Sequence, residues 1–234
     1  MPRGMAAFFR AAALLVLLLI VPTPPDRGGI PPRWNPWAPL RIADAPNVLT
    51  PLKLARLGRD GALCRAVLAQ APLQSTPVPD REVGPGCRLA DAVRITRTRF
   101  AVDSPFLLTC RAAVSLALWE RHTVQPAALQ LLGAPVLRLQ HLGSLACRDI
   151  AARPGRRSRH AQADALDVAG FTLGDGRRVT VLRDWGDAEA PAGRFLRTLH
   201  RGACRSFDGV LGPDYNAAHR DHLHLELGGG RYCR

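Results

Sequence analysis

The stretch HRDHLHLEL, residues 219–227, decides how the rest of the chain is read. From His222 onward it alternates polar and apolar, the period of a half-buried strand. Successive strand side chains point to opposite faces, so His222, His224 and Glu226 share one face while Leu223, Leu225 and Leu227 take the core side. The leucines that anchor the strand thereby align two imidazoles. With His219, the H-x-x-H-x-H pattern gathers three of seven histidines within six residues. Imidazoles on one strand face can serve a single metal ion, or one can ligate while its neighbour handles a proton.

Upstream, Ser158-Arg-His160 leads into a candidate strand, Ala165 to Phe171, that carries Asp167 between the small residues Ala165 and Ala169. Small neighbours leave room for a ligand. A zinc enzyme needs three protein ligands and one open position for water, and His160, Asp167 and His224 would supply two nitrogens and one oxygen. His222, two positions from a ligand on the same strand face, is the natural base near that water, with His219 close by. His122, His141 and His200 read as ordinary structural histidines.

Further candidate strands are residues 91–100, Val136 to Leu142 and Val179 to Leu182. Thr50-Pro51 has the form of a cap followed by a first-turn proline, and Asp60 opens a second helical stretch. The longest helical stretch runs from about Ala112 to Leu132, interrupted by Pro126 and stopped by Gly133, and a short helix spans Arg194 to His200. No internal repeat is present.

Residues 1–22 place Arg3 and Arg10 ahead of the apolar run Ala11 to Val21, the order of an export signal, either a cleaved signal peptide or an uncleaved N-terminal membrane anchor facing the periplasm. A Pro/Gly-rich linker follows over residues 23–45, and the folded domain spans 46–234. Six cysteines without a C-x-x-C pair suit disulfides in an oxidising compartment. Sequential pairing, Cys64 with Cys87, Cys110 with Cys147 and Cys204 with Cys233, closes the shortest loops. The formal net charge of +13 is nearly all arginine, scattered and without interleaved aromatics, so a specific nucleic-acid partner is not expected. An anionic-polymer binder would account for the charge but not for the histidines.

SRHAQADALD, residues 158–167, resembles the S-x-H-x-x-G-x-A-x-D motif of the LAS metallopeptidases, the group of lysostaphin, D-Ala-D-Ala metallopeptidases and hedgehog proteins. HRDHLH is similar to their second motif in its murein-endopeptidase form. PLKLARL, GSLACR, GPDYNAAHRDHLHLE and the cysteine positions resemble the bacterial extensin-like C-terminal domain family over roughly residues 45–234. The resemblance implies an α+β fold, a small mostly antiparallel sheet packed with helices, and Zn2+ held by His160, Asp167 and His224. His222 and His219 would flank the metal as base or stabiliser. By position it makes Arg148 and Ser158 substrate contacts, although Arg148 alone reads as a surface arginine. Asp184, Trp185, Asp214, Tyr215 and Asn216 read as loop-shaping residues. Ala163 stands where the motif has glycine, and the carboxypeptidase-type E-x-x-H is absent.

The function these readings imply is a periplasmic zinc metallopeptidase that hydrolyses an amide bond of peptidoglycan peptides through a zinc-bound hydroxide. The alternative is a zinc-stabilised, non-hydrolytic domain that binds the cell wall or acts as an adaptor.

Overall fold

In the computed structural model, which describes residues 29–151 and 153–234, Pro51 sits in the first turn of helix α1 (Thr50–Leu57), where a missing N–H costs nothing. Thr50 is inside that helix rather than its cap, and its Oγ1 accepts the Asn47 N–H at 2.8 Å. Asp60 caps α2 (Gly61–Leu68) as expected, accepting from the Leu63 N–H at 2.9 Å. Strands β1 (Gln74–Pro77), β2 (Arg81–Gly84), β3 (Cys87–Leu89), β4 (Ala92–Arg97), β5 (Ala101–Val102) and β6 (Phe106–Thr109) follow. Thr109 then caps α3 (Cys110–Trp119). The expected break at Pro126 falls earlier: a π-helical turn over Glu120–Val124 interrupts the helix, and Pro126 lies in the first turn of α4 (Gln125–Leu132). Gly133, at φ 69°, ends that helix.

The second half runs β7 (Val136–Gly143), β8 (Asp149–Ile150), β9 (Arg153–Arg157), a 3-10 turn (Arg159–Gln162), β10 (Ala165–Leu173) and β11 (Arg178–Thr180). The strand expected to reach Leu182 stops at Thr180. Its N–H is taken by the Asp184 carboxylate at 2.8 Å, and the chain coils into α5 (Val181–Asp184). Then come α6 (Pro191–Ala203), β12 (Gly209–Leu211), a 3-10 turn (Ala217–His219), β13 (Leu223–Glu226) and β14 (Tyr232–Cys233).

The main sheet has the order β14-β12-β13-β10-β7-β5, with β11 also paired to β10. Its pairings are antiparallel except for the parallel edges β5–β7 and β12–β14. A second antiparallel sheet has the order β1-β4-β6, and β2–β3 and β8–β9 are hairpins. The α+β class and the mostly antiparallel sheet are as the sequence led us to expect.

One irregularity matters for the site. On β10, Val168 faces His141 and Gly170 faces Gln140, so two steps on one strand meet one step on β7, a β-bulge centred on Ala169. Leu166 and Val168 are core residues before the bulge, and Phe171 and Leu173 after it. The bulge thus lets Asp167 face away from a core that Phe171, four residues on, enters. There Phe171 meets Trp119 of α3 and Phe195 of α6 at ring separations of 6.1 and 5.6 Å, and the Trp119 indole donates to the Leu199 carbonyl at 2.9 Å.

Three disulfides staple this unit: Cys64–Cys110, Cys87–Cys147 and Cys204–Cys233. Only the last is the sequential pair. Loop length is a weak guide, because doubling a loop costs only about 0.6 kcal/mol in closure entropy, far less than the folded contacts that place α2 against the start of α3. Residues 29–39 form a separate unit, turned by a Trp34 N–H to Pro31 carbonyl bond of 2.8 Å. Residues 40–45, read as linker, already belong to the second unit, whose core buries Leu40 and Ile42. The expected signal peptide or anchor, with the linker as far as residue 28, lies outside the described residues. Among the described residues no helix is long and apolar enough to cross a membrane.

Candidate metal centre

Strand register builds the centre. Antiparallel pairing of β10 with β13 sets Asp167 directly opposite His224 and Ala165 opposite Glu226. Leu223, Leu225 and Leu227 enter the core, so the opposite face presents His222, His224 and Glu226, the division that the alternation predicts. His160 comes from the 3-10 turn immediately before β10. Ser158 caps that turn by accepting the His160 N–H at 3.3 Å, and Ala163 closes it at φ 55°, ψ 30°. That left-handed backbone is one that glycine adopts freely and alanine only at a cost. The turn is tied down by buried Asp164, which accepts from the Thr109 hydroxyl and the Arg111 guanidinium at 2.6 Å each.

The ligand atoms of His160, Asp167 and His224 all lie within 4.8 Å of one another. His160 Nε2 is 3.2 Å from Asp167 Oδ2 and 3.2 Å from His224 Nδ1, which is itself 2.9 Å from Asp167 Oδ1. Each imidazole is also held from behind. His160 Nδ1 donates to the Ser144 carbonyl at 3.2 Å, and His224 Nε2 donates to Glu226 Oε2 at 2.9 Å. Those partners leave His160 Nε2 as a lone-pair donor facing the cluster.

The electrostatics favour positive charge at the centre. Burial pushes the Asp167 carboxyl up, but hydrogen bonds and charge from His160 and His224 outweigh it and hold the group well below the carboxylate range. Burial works against a charged His224, yet Asp167 and Glu226 push it up to about 9. A proton is therefore retained where a cation would satisfy the same acceptors. Glu226 is held low: burial opposes ionisation, and the bonds from His224 and Tyr232 overcome it.

The two remaining histidines line the same cluster. His222 Nδ1 donates to Asp221 Oδ1 at 2.9 Å, and its Nε2 stands 3.5 Å from Asp167 Oδ1. The His219 ring lies 5.2 Å from that of His222 and 5.8 Å from that of His224, and its Nδ1 donates to Asn216 Oδ1 at 2.7 Å. Burial, then the neighbouring His222 and His224, bring His219 down to about 4, so it is neutral at pH 7 with Nε2 free to accept a proton.

Ser158 is buried with its hydroxyl engaged in the turn. Arg148 is exposed, and its charge is the smallest of the influences that act on His219. Of the residues read as loop-shaping, Asn216 and Tyr215 touch His219, while Asp184, Trp185 and Asp214 bond within their own surroundings. Asp214 accepts from the Trp185 indole and the Arg197 guanidinium at 2.8 Å each, and the Tyr215 ring meets His219 edge to face at a ring separation of 5.5 Å. Sequence reasoning missed the roles of Ser144, Asp164, Glu226 and Tyr232. Glu226 alone had a readable signal, since it shares the strand face of His222 and His224.

A second group, His200, Cys204 and Cys233, also brings three metal-type atoms within 4.8 Å, but its two sulfurs are bonded to each other. The fold and the cluster together define a disulfide-bonded α+β domain with a buried His–Asp–His group able to hold a metal ion. The chain belongs to the family described as extensin-like protein C-terminus, whose family model matches residues 62–234 and so covers both strands of the centre. Neither curated proteins nor solved structures yield a match.

Proposed function

We propose that this protein is a zinc metallopeptidase of the cell envelope, in the periplasm, that hydrolyses an amide bond in peptidoglycan peptides. The observation that carries the reading is the convergence of His160, Asp167 and His224, with two further histidines at the same cluster. Two nitrogens and one oxygen form a donor set that zinc accepts. The spacings of 2.9–3.2 Å also approach the edge of a zinc tetrahedron, about 3.3 Å for metal–ligand distances near 2.05 Å. The retained positive charge and the carboxylate behind His224 point the same way.

When bound, zinc supplies Lewis acidity that ionises water near neutral pH and polarises a carbonyl. His160, Asp167 and His224 would hold it. His222, oriented by Asp221, presents Nε2 toward the cluster and can take a proton from water and return it to the leaving amine. His219, neutral and oriented by Asn216, offers a second acceptor or, once protonated, a donor to a developing oxyanion. Arg148, exposed and near enough for its charge to act on His219, is the cation available to a substrate carboxylate. No glutamate base is required.

The substrate class rests on the family resemblance and on the disulfides, which fit an oxidising envelope compartment. The test is digestion of purified peptidoglycan with the whole chain, followed by mass spectrometry of the released peptides, with and without a chelator. Chelator-sensitive new amino and carboxyl termini are expected and would name the bond. Intact peptidoglycan incubated with zinc-loaded protein would instead favour a non-hydrolytic wall-binding or adaptor domain.

A further inference from the structure

The C-terminal strand lies outside both histidine motifs, yet it reaches the centre. In register, Ala165 on β10 faces Glu226 on β13, Glu226 faces Gly209 on β12, and Gly209 faces Tyr232 on β14. These four residues form one row across the sheet. Tyr232 extends along it past Gly209, and its hydroxyl donates to Glu226 Oε1. Glu226 Oε2 accepts from His224 Nε2 at 2.9 Å. Both carboxylate oxygens are thus engaged, one by the tyrosine and one by the imidazole.

Space for this pair is made by two glycines. A Cβ on Gly209 would stand 2.5 Å from Tyr232 Cζ and 2.6 Å from Glu226 Cγ, and one on Gly229 would stand 2.5 Å from Glu226 Oε1. A two-residue parallel edge strand holds little stability of its own. β14 is secured by the Cys204–Cys233 disulfide, adjacent to Tyr232, and by backbone bonds from Tyr232 N–H to the Asp208 carbonyl and from Arg234 N–H to the Val210 carbonyl, each 2.9 Å.

We propose that Glu226 and Tyr232 are positioning residues that hold the His224 imidazole in its orientation through Nε2, so that the disulfide-tethered C-terminal strand sets the metal affinity of the centre. The inference rests on the metal-binding part of the proposed function and is independent of hydrolysis. Orienting partners of this kind are worth roughly 10–100-fold in metal affinity.

The test is the zinc dissociation constant of the full chain, disulfides intact, by competition with a chelating indicator, alongside the thermal midpoint of each zinc-free protein. Glu226→Gln should weaken zinc by about 10–100-fold and Tyr232→Phe by about tenfold. The double variant should bind no more weakly than Glu226→Gln, because the tyrosine acts through the glutamate. Gly209→Ala, which keeps both side chains but takes their space, should also weaken zinc. An unchanged dissociation constant for Tyr232→Phe, or strictly additive losses, would overturn the inference while leaving the metal site standing. A lower zinc-free midpoint with unchanged affinity would mark the pair as merely structural and overturn it too. A wild-type chain that binds no zinc would remove the metal reading itself.

Discussion

Among the described residues two clusters bring three metal-type ligand atoms within 4.8 Å of one another, and they are built for different ends. In the His200–Cys204–Cys233 cluster the sulfurs are joined, and His200 Nε2 is engaged with the Arg234 carbonyl at 3.0 Å. Burial is the main influence that lowers the affinity of His200 for a proton. In the His160–Asp167–His224 cluster the ligand atoms face one another, and each imidazole is braced from behind by Ser144 or Glu226. Its surroundings draw positive charge inward, raising His224 to about 9. Proximity of the right residue types therefore says little by itself. Lone pairs that converge, with the opposite edge of each ring engaged elsewhere, distinguish a centre from a staple.

The sharpest way to break the comparison is Asp167→Ala. Metal analysis should fall from one zinc per chain to none, with hydrolysis at background, whereas replacing both Cys204 and Cys233 by serine should leave one zinc per chain when zinc is in excess. Next in size is His222→Ala, which should keep zinc but lower turnover by about 10²–10⁴-fold, read from single-turnover digestion. The serine pair, which keeps the three converging side chains, should also act on stability. A bridge with a sequence separation of 29 is worth about 3–4 kcal/mol, measured as a shift in the urea unfolding midpoint.

Glu120 sharpens the contrast from another side, as a buried carboxyl group outside both clusters. Burial raises its carboxyl to about 7 from 4.5, opposed only in part by the Thr98 hydroxyl and the Arg99 N–H. Its Oε1 has no hydrogen-bond partner. The folded chain keeps this proton at pH values where the unfolded chain has lost it. The contribution is therefore whole below pH 4.5 and is lost as pH rises through about 7. Glu120→Gln should match wild type near pH 4 and exceed it by up to about 3 kcal/mol near pH 8, by denaturant unfolding at both pH values. An equal difference at both would remove the buried-carboxylate explanation.

What could be read in advance was local. The Leu223–Leu225–Leu227 alternation fixed a strand and its faces because period two is a property of the backbone, and Asp60 and Gly133 marked helix ends because their chemistry acts within one turn. That His160, Asp167 and His224 would come together was legible from types and spacing, but their bracing was not. The Ser144 carbonyl has no side-chain signature, and Tyr232 arrives on a two-residue strand too short to show a period. The Ala169 bulge, which lets Asp167 and Phe171 point to different faces, is likewise invisible to simple alternation. The disulfides Cys64–Cys110 and Cys87–Cys147 follow from tertiary proximity, which loop length does not encode.

The most direct test of the central claim is a metal count on the intact, unreduced chain by native mass spectrometry, with the His224→Ala variant beside it. The account predicts one zinc on the wild type, none on the variant, and six oxidised cysteines in both. A wild type without zinc, or a zinc that survives His224→Ala at full stoichiometry, would contradict it.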